Sequence, residues 1–141
     1  MIIENEKLLQ SFREATRCEL CGSPTPQGAD PHHLMTRGAG RVDIPGNLAS
    51  LDRCCHMTVH AKDQIASELK QIVAKREGVP WDVIEESVWF FRRLPRDPTD
   101  EQIAKQLEGV DEPFRKLVRK ALEEMGRWQS SERSAAKSAK I

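Results

Sequence analysis

Two histidine pairs dominate the chemistry open to this sequence. His32 and His33 are adjacent in "DPHHL", residues 30–34, and His56 and His60 stand four apart in "CCHMTVH", residues 54–60; these are all the histidines of a 141-residue chain. On a helix, residues four apart lie nearly one above the other, so His56 and His60 can offer two imidazoles to one point. On a strand, neighbours face opposite ways, so His32 and His33 cannot both join them. Three imidazoles from His32, His56 and His60 would make a partly open coordination sphere. Such a sphere suits a borderline transition ion and leaves positions for water or phosphate. His33 is then left as a neutral base whose ordinary pKa, about 6.5, matches the removal of a proton from water.

The four cysteines extend the metal theme. Cys18 and Cys21 form a Cys-x-x-Cys knuckle in "CELC", while Cys54 and Cys55 directly precede His56. "MIIENEKLLQSF" carries charge within its first four residues and has no apolar run, so a secretory signal is not expected. A metal site in a reducing cytoplasm therefore explains the cysteines better than two disulfides do. No stretch approaches the roughly 20 apolar residues that span a bilayer. Lys+Arg and Asp+Glu balance at 22 each, so overall charge steers the chain toward neither nucleic acid nor membrane. Hydrophobic residues make up 38% and aromatic residues only 5%, which implies a modest, largely aliphatic core.

Those side chains need a scaffold. Leu8, Leu9, Phe12 and Ala15 predict an amphipathic helix over residues 4–17. From Cys18 to Gly46, prolines and glycines break the chain into turns and short extended pieces. Pro31 lacks an amide donor and biases Asp30 toward extended backbone, which suits a hairpin strand carrying His32, His33 and Leu34. One helix is expected from about Cys55 to Glu77, with Ile65, Leu69, Ile72 and Val73 as its stripe and Gly78 as its stop. Beyond Gly78 the chain reads as helical. Pro80 opens a helix with Trp81, Ile84, Val88 and Phe91 on one face, and Trp89 and Phe90 off that face suggest an interface or a two-sided core. Thr99 and Gln102 form a capping box for a short helix ending at Gly109. Asp111 is expected to cap a longer one buried through Phe114, Leu117, Val118, Ala121, Leu122 and Met125. The last two resemble a helix-turn-helix only loosely, so a helical appendage is the better expectation. The tail, residues 129–141, has little to bury and is expected to be disordered.

The order "DPHHL", then Asn47 in "PGNLASL", then His56 and His60 resembles the His-Asn-His (HNH, His-Me finger) endonucleases, over roughly Cys18 to Lys62. The resemblance implies an α+β fold. A small ββα-metal unit over residues 18–78, hairpin then helix, would follow an N-terminal helix at 1–17 and precede a mainly helical region at 79–128. It implies a DNA-cleaving hydrolase, bacterial or phage-encoded, that takes one catalytic divalent ion (Mg, Mn, Ni or Zn). His32, His56 and His60 would be ligands, His33 the general base, and Asn47 the residue that binds backbone across the long loop. The expected products carry 5′ phosphate and 3′ hydroxyl.

Many members of that family add a structural zinc held by two Cys-x-x-Cys knuckles. Here Asp52 occupies the first position of the second knuckle, Cys55 the second, and Cys54 is extra. Aspartate binds zinc through oxygen, so Cys18, Cys21, Cys55 and Asp52 form one possible set. Cys54 in place of Asp52 would need an awkward turn, and the sequence leaves the fourth ligand open. Arg37 and Arg41, in the loop "TRGAGR", could contact phosphates flanking the scissile bond, although Asp43 could equally satisfy an arginine internally. Two other classes of function compete: a non-catalytic zinc-ribbon module that binds nucleic acid, and a protein-interaction scaffold built on the C-terminal helices. His33 discriminates, because a purely structural site has no use for a second, oppositely directed imidazole.

Overall fold

The computed structural model describes residues 1–36, 38 and 40–126. Arg37 and the tail at 129–141 lie outside the described residues. Among them the chain is α+β, with six α-helices and one two-stranded antiparallel sheet.

Helix α1 (Glu6–Arg13) is shorter than expected at both ends. Asn5 starts it by accepting the Leu8 amide at 3.0 Å. Arg17 is already bridged to Pro24, so the chain must leave the helix before the Cys18 knuckle. Strand β1 (Asp30–His33) pairs with β2 (Leu48–Leu51), placing Asp30 opposite Leu51 and His32 opposite Ala49. A 3-10 turn at Pro45–Asn47 feeds β2. There Gly46 is buried so close to α4 that a Cβ would sit 2.9 Å from Ile84 Cγ2, which no side chain tolerates without displacement.

The long helix expected from Cys55 to Glu77 is two helices: α2 (Arg53–Ala61) and α3 (Asp63–Glu77). Lys62 separates them with extended backbone, φ −130° and ψ 112°. Its amide closes α2 on the Thr58 carbonyl, and its carbonyl opens α3 by accepting from Ala66. Gly78 ends α3 in the left-handed conformation, at φ 74°. Arg76, near the end of α3, donates to the Pro45 carbonyl at 2.6 Å and the Leu48 carbonyl at 2.9 Å, pairs with Glu19, and stacks on the Phe12 ring. One guanidinium thus ties α3 to α1, the 3-10 turn and β2.

Helix α4 (Trp81–Arg93) is buried on two sides, which accounts for its apolar residues off a single stripe. Ile84 joins Ala49, Leu51, Leu69 and Val73 in a cluster behind the sheet. Val88, Phe90 and Phe91 join Ile3, Val42 and Ile44, together with residues of α5 (Asp100–Gln106) and α6 (Glu112–Glu124), in a second cluster. Fully buried side chains of this size contribute about 1.5–3 kcal/mol each. The capping box of α5 forms between Thr99 and Gln102. Asp111 stands at the N-cap of α6 but its side chain makes no capping hydrogen bond there, unlike the expectation. Val118, Ala121 and Leu122 are buried on α6, with Phe114, Leu117 and Met125 partly so. Arg92, stacked on the half-exposed Trp89, donates to the carbonyls of Thr36 at 2.6 Å and Gly40 at 3.1 Å, holding the loop that follows β1. No helix of the described residues is long and apolar enough to cross a membrane.

Candidate metal centre

Strand alternation decides which histidine meets which partner. Asp30 and His32 share one face of β1, and His33 takes the other. His32 faces α2, where its ring centre lies 5.1 Å from that of His56 and 5.0 Å from that of His60; the latter two are 4.9 Å apart. One nitrogen of each ring lies within 4.8 Å of the other two. His32 is buried and His60 exposed, so the group opens to solvent on one side. Burial, reinforced by the neighbouring imidazoles, lowers the His32 pKa to about 4, which keeps its lone pair available near neutral pH. Three converging imidazoles are a donor set that fits a divalent ion.

A second group forms where the Cys18 knuckle meets the start of α2. Single ligand atoms of Cys18, Cys21, Asp52 and Cys55 all lie within 4.8 Å of one another. Asp52 serves two purposes. Its Oδ1 caps α2 by accepting the Cys55 amide at 2.7 Å, while its Oδ2 accepts from Cys21 Sγ at 3.1 Å. Burial pushes the Cys18 thiol up, but the amides of Cys21, Asp52 and Leu20 converge on it and bring its pKa below the ordinary value. Burial, with Cys21, Asp52 and Cys18 close by, raises that of Cys55. Three thiols and a carboxylate gathered this closely are a group that could hold a divalent cation. Cys54 stands exposed and outside this group, whose fourth member is Asp52.

His33 is almost fully buried and donates from Nε2 to Asp43 Oδ1 at 2.6 Å. Asn47, wholly buried, accepts the Met35 amide at 2.7 Å and donates to the Val42 carbonyl at 3.0 Å. It thereby clamps both sides of the loop that separates the two strands. Arg41 meets the internal partner that the sequence also allowed. Its guanidinium binds Asp43 at 2.7 Å and Glu6 at 3.0 Å, and those carboxylates raise its pKa further. One partner lies on its own loop and the other at the start of α1.

Asp43 thus joins His33 to Arg41. Burial opposes its charge, but hydrogen bonds from His33, Arg41 and the Asn5 amide outweigh that cost and hold its pKa at about 2. A folded-state value below the ordinary 3.8 means the stabilisation is complete above pH 3.8 and fades as pH falls toward 2. The shift corresponds to roughly 2 kcal/mol. Asp43→Asn should therefore lose about that much against guanidinium at pH 7 and progressively less toward pH 2. A difference independent of pH would show that the carboxylate's charge is not what stabilises.

Two acidic residues at the site were not assigned these contacts from sequence. Asp30 touches His56 at 3.1 Å, and its position two residues before His32 was a usable signal, since a strand repeats every second residue. Asp43 was legible only as a partner for arginine; its meeting with His33 depends on the path of a loop. No family model matches the chain, and neither curated proteins nor solved structures give a match.

Proposed function

We propose that the chain is a metal-dependent endonuclease that hydrolyses DNA phosphodiester bonds, with His33 as general base. One observation carries the reading. Three imidazoles converge to one side of β1, while a fourth, on the next residue, points away and is oriented by an ionised carboxylate. A site that merely holds metal has no need of that fourth ring.

His32, His56 and His60 would hold the catalytic ion: Mg, Mn, Ni or Zn. When bound, it neutralises charge on the phosphate and the departing oxygen. The chain's own residues do the rest. Asp43 accepts a hydrogen bond from His33 Nε2–H, which leaves the ring's lone pair on Nδ1. His33 takes a proton there from a water whose oxygen forms the new bond to phosphorus, while the bond from phosphorus to the 3′ oxygen breaks. Asp43 then stabilises the imidazolium, the departing 3′ oxygen takes a proton from solvent water, and the products are a 5′ phosphate and a 3′ hydroxyl. Asn47 keeps the loop fixed between the two histidine-bearing elements. Cys18, Cys21, Cys55 and Asp52 would hold structural zinc at the head of α2.

Plasmid nicking by metal-stripped protein tests the reading. We expect no activity without added ion and restoration by at least one of Mg²⁺, Mn²⁺, Ni²⁺ or Zn²⁺. Zinc uptake with no cleavage under any of the four would favour the zinc-ribbon alternative.

A further inference from the structure

The imidazoles do not orient themselves. Asp30 lies on the face of β1 that carries His32, and its Oδ2 sits 3.1 Å from His56 Nδ1 and 3.2 Å from Arg53 Nε. From this geometry we infer that Asp30 is a positioning residue for the metal site, fixing His56 in the form that offers Nε2 to the ion. The inference rests on the reading that His32, His56 and His60 bind metal. A carboxylate oxygen accepts, so the hydrogen bond at 3.1 Å is donated by His56 Nδ1–H and the lone pair stands on Nε2. A neutral imidazole left to water is free to rotate and to exchange between its two proton positions; a carboxylate on one nitrogen removes both freedoms and makes the other nitrogen more basic.

His56 needs such help because of where it stands. It occupies a helix of only nine residues and is half-exposed, so packing alone does not set its ring. His32 is held by burial instead. Asp30 itself is anchored by the strand pairing, opposite Leu51, so the orientation of a ligand on α2 is set from the sheet. Arg53, largely exposed, shares the same carboxylate oxygen.

Two measurements on the full chain test this, with the cysteine group first saturated with zinc. Affinity for Ni²⁺ at the histidine site should fall about 10- to 100-fold in Asp30→Ala. Asp30→Asn, which keeps an acceptor oxygen, should recover most of that loss. Before Ni²⁺ is added, the histidine ring ¹⁵N spectrum should report His56 protonated at Nδ1 in the wild type and released toward the Nε2-protonated form in Asp30→Ala. Unfolding would release His56 to the same Nε2-protonated form. Both readouts therefore count only where the thermal midpoint and amide spectrum of the variant match the wild type, and Asp30→Asn carries the test if Asp30→Ala does not fold. Wild-type protein that takes up no Ni²⁺ would overturn the metal site itself. Wild-type uptake with unchanged affinity and an unchanged tautomer in Asp30→Ala would overturn only the role given to Asp30.

Discussion

Plasmid nicking by His33→Ala is expected to fall by about 10²- to 10⁴-fold, the usual contribution of a positioned general base, while affinity for the catalytic ion stays within about twofold of wild type. The two readouts separate because His33 lies on the opposite side of β1 from the converging rings. Folding should survive. Asp43 loses its contact with His33 but keeps Arg41 at 2.7 Å and the Asn5 amide at 2.9 Å, so no buried carboxylate is orphaned. The space left by the ring costs about 1–3 kcal/mol at most, by analogy with other core truncations. Metal affinity that collapses together with cleavage would refute the division of roles between the two adjacent histidines. Unchanged cleavage would remove His33 from the mechanism altogether.

Stability should depend most on the cysteine group. Cys18 is 2% exposed and belongs to the cluster behind the sheet, so its thiol is a packed side chain as well as a candidate ligand atom. If zinc binds there at a free concentration about a thousandfold above its dissociation constant, it adds about 4 kcal/mol. For a chain of this size that corresponds to a rise in melting temperature of roughly 8–20 °C. A strong chelator should lower the thermal midpoint by that amount, and zinc should restore it. Cys18→Ala should show the low midpoint from the outset and no response to either treatment. Cys54→Ala, exposed and outside the group, should behave as wild type in both. A midpoint indifferent to chelation in the parent protein would mean that the thiols are only packed. These effects should also reach the histidines, since Cys55 and His56 are neighbours on α2 and Asp52 caps that helix.

What could be read from the residues follows their period. The histidine placements needed only two rules, alternation on a strand and stacking at four on a helix, and both act over a few residues. The capping box at Thr99 and the stop at Gly78 are similarly local, and the structure has them. Local signals failed where three-dimensional packing decides. Val59, Ala66, Leu69 and Val73 keep a helical spacing straight through Lys62, and Lys62 carries no glycine- or proline-like signal, so the break between α2 and α3 left no trace. Asp111 had the right type for a cap, yet no capping bond forms. Arg41 was ambiguous by nature. A guanidinium fits phosphate and carboxylate alike, and only the fold brings Glu6 and Asp43 to it. The meeting of the two cysteine-bearing segments was legible from motif order, whereas the choice of Asp52 over Cys54 required knowing where α2 begins.

The pairing of β1 with β2 carries one more consequence. A slip of a single residue along that ladder would turn His33 toward α2 and send His32 to Asp43, interchanging the would-be ligand and the would-be base. In such a slipped form every contact that distinguishes the two rings would be reversed. With strands of only four residues, the hairpin has little length of its own with which to reject that alternative. The bonds from Asn47 to Met35 and Val42 act as an alignment pin, so the fidelity of the centre is decided outside it, by an amide that touches none of its rings.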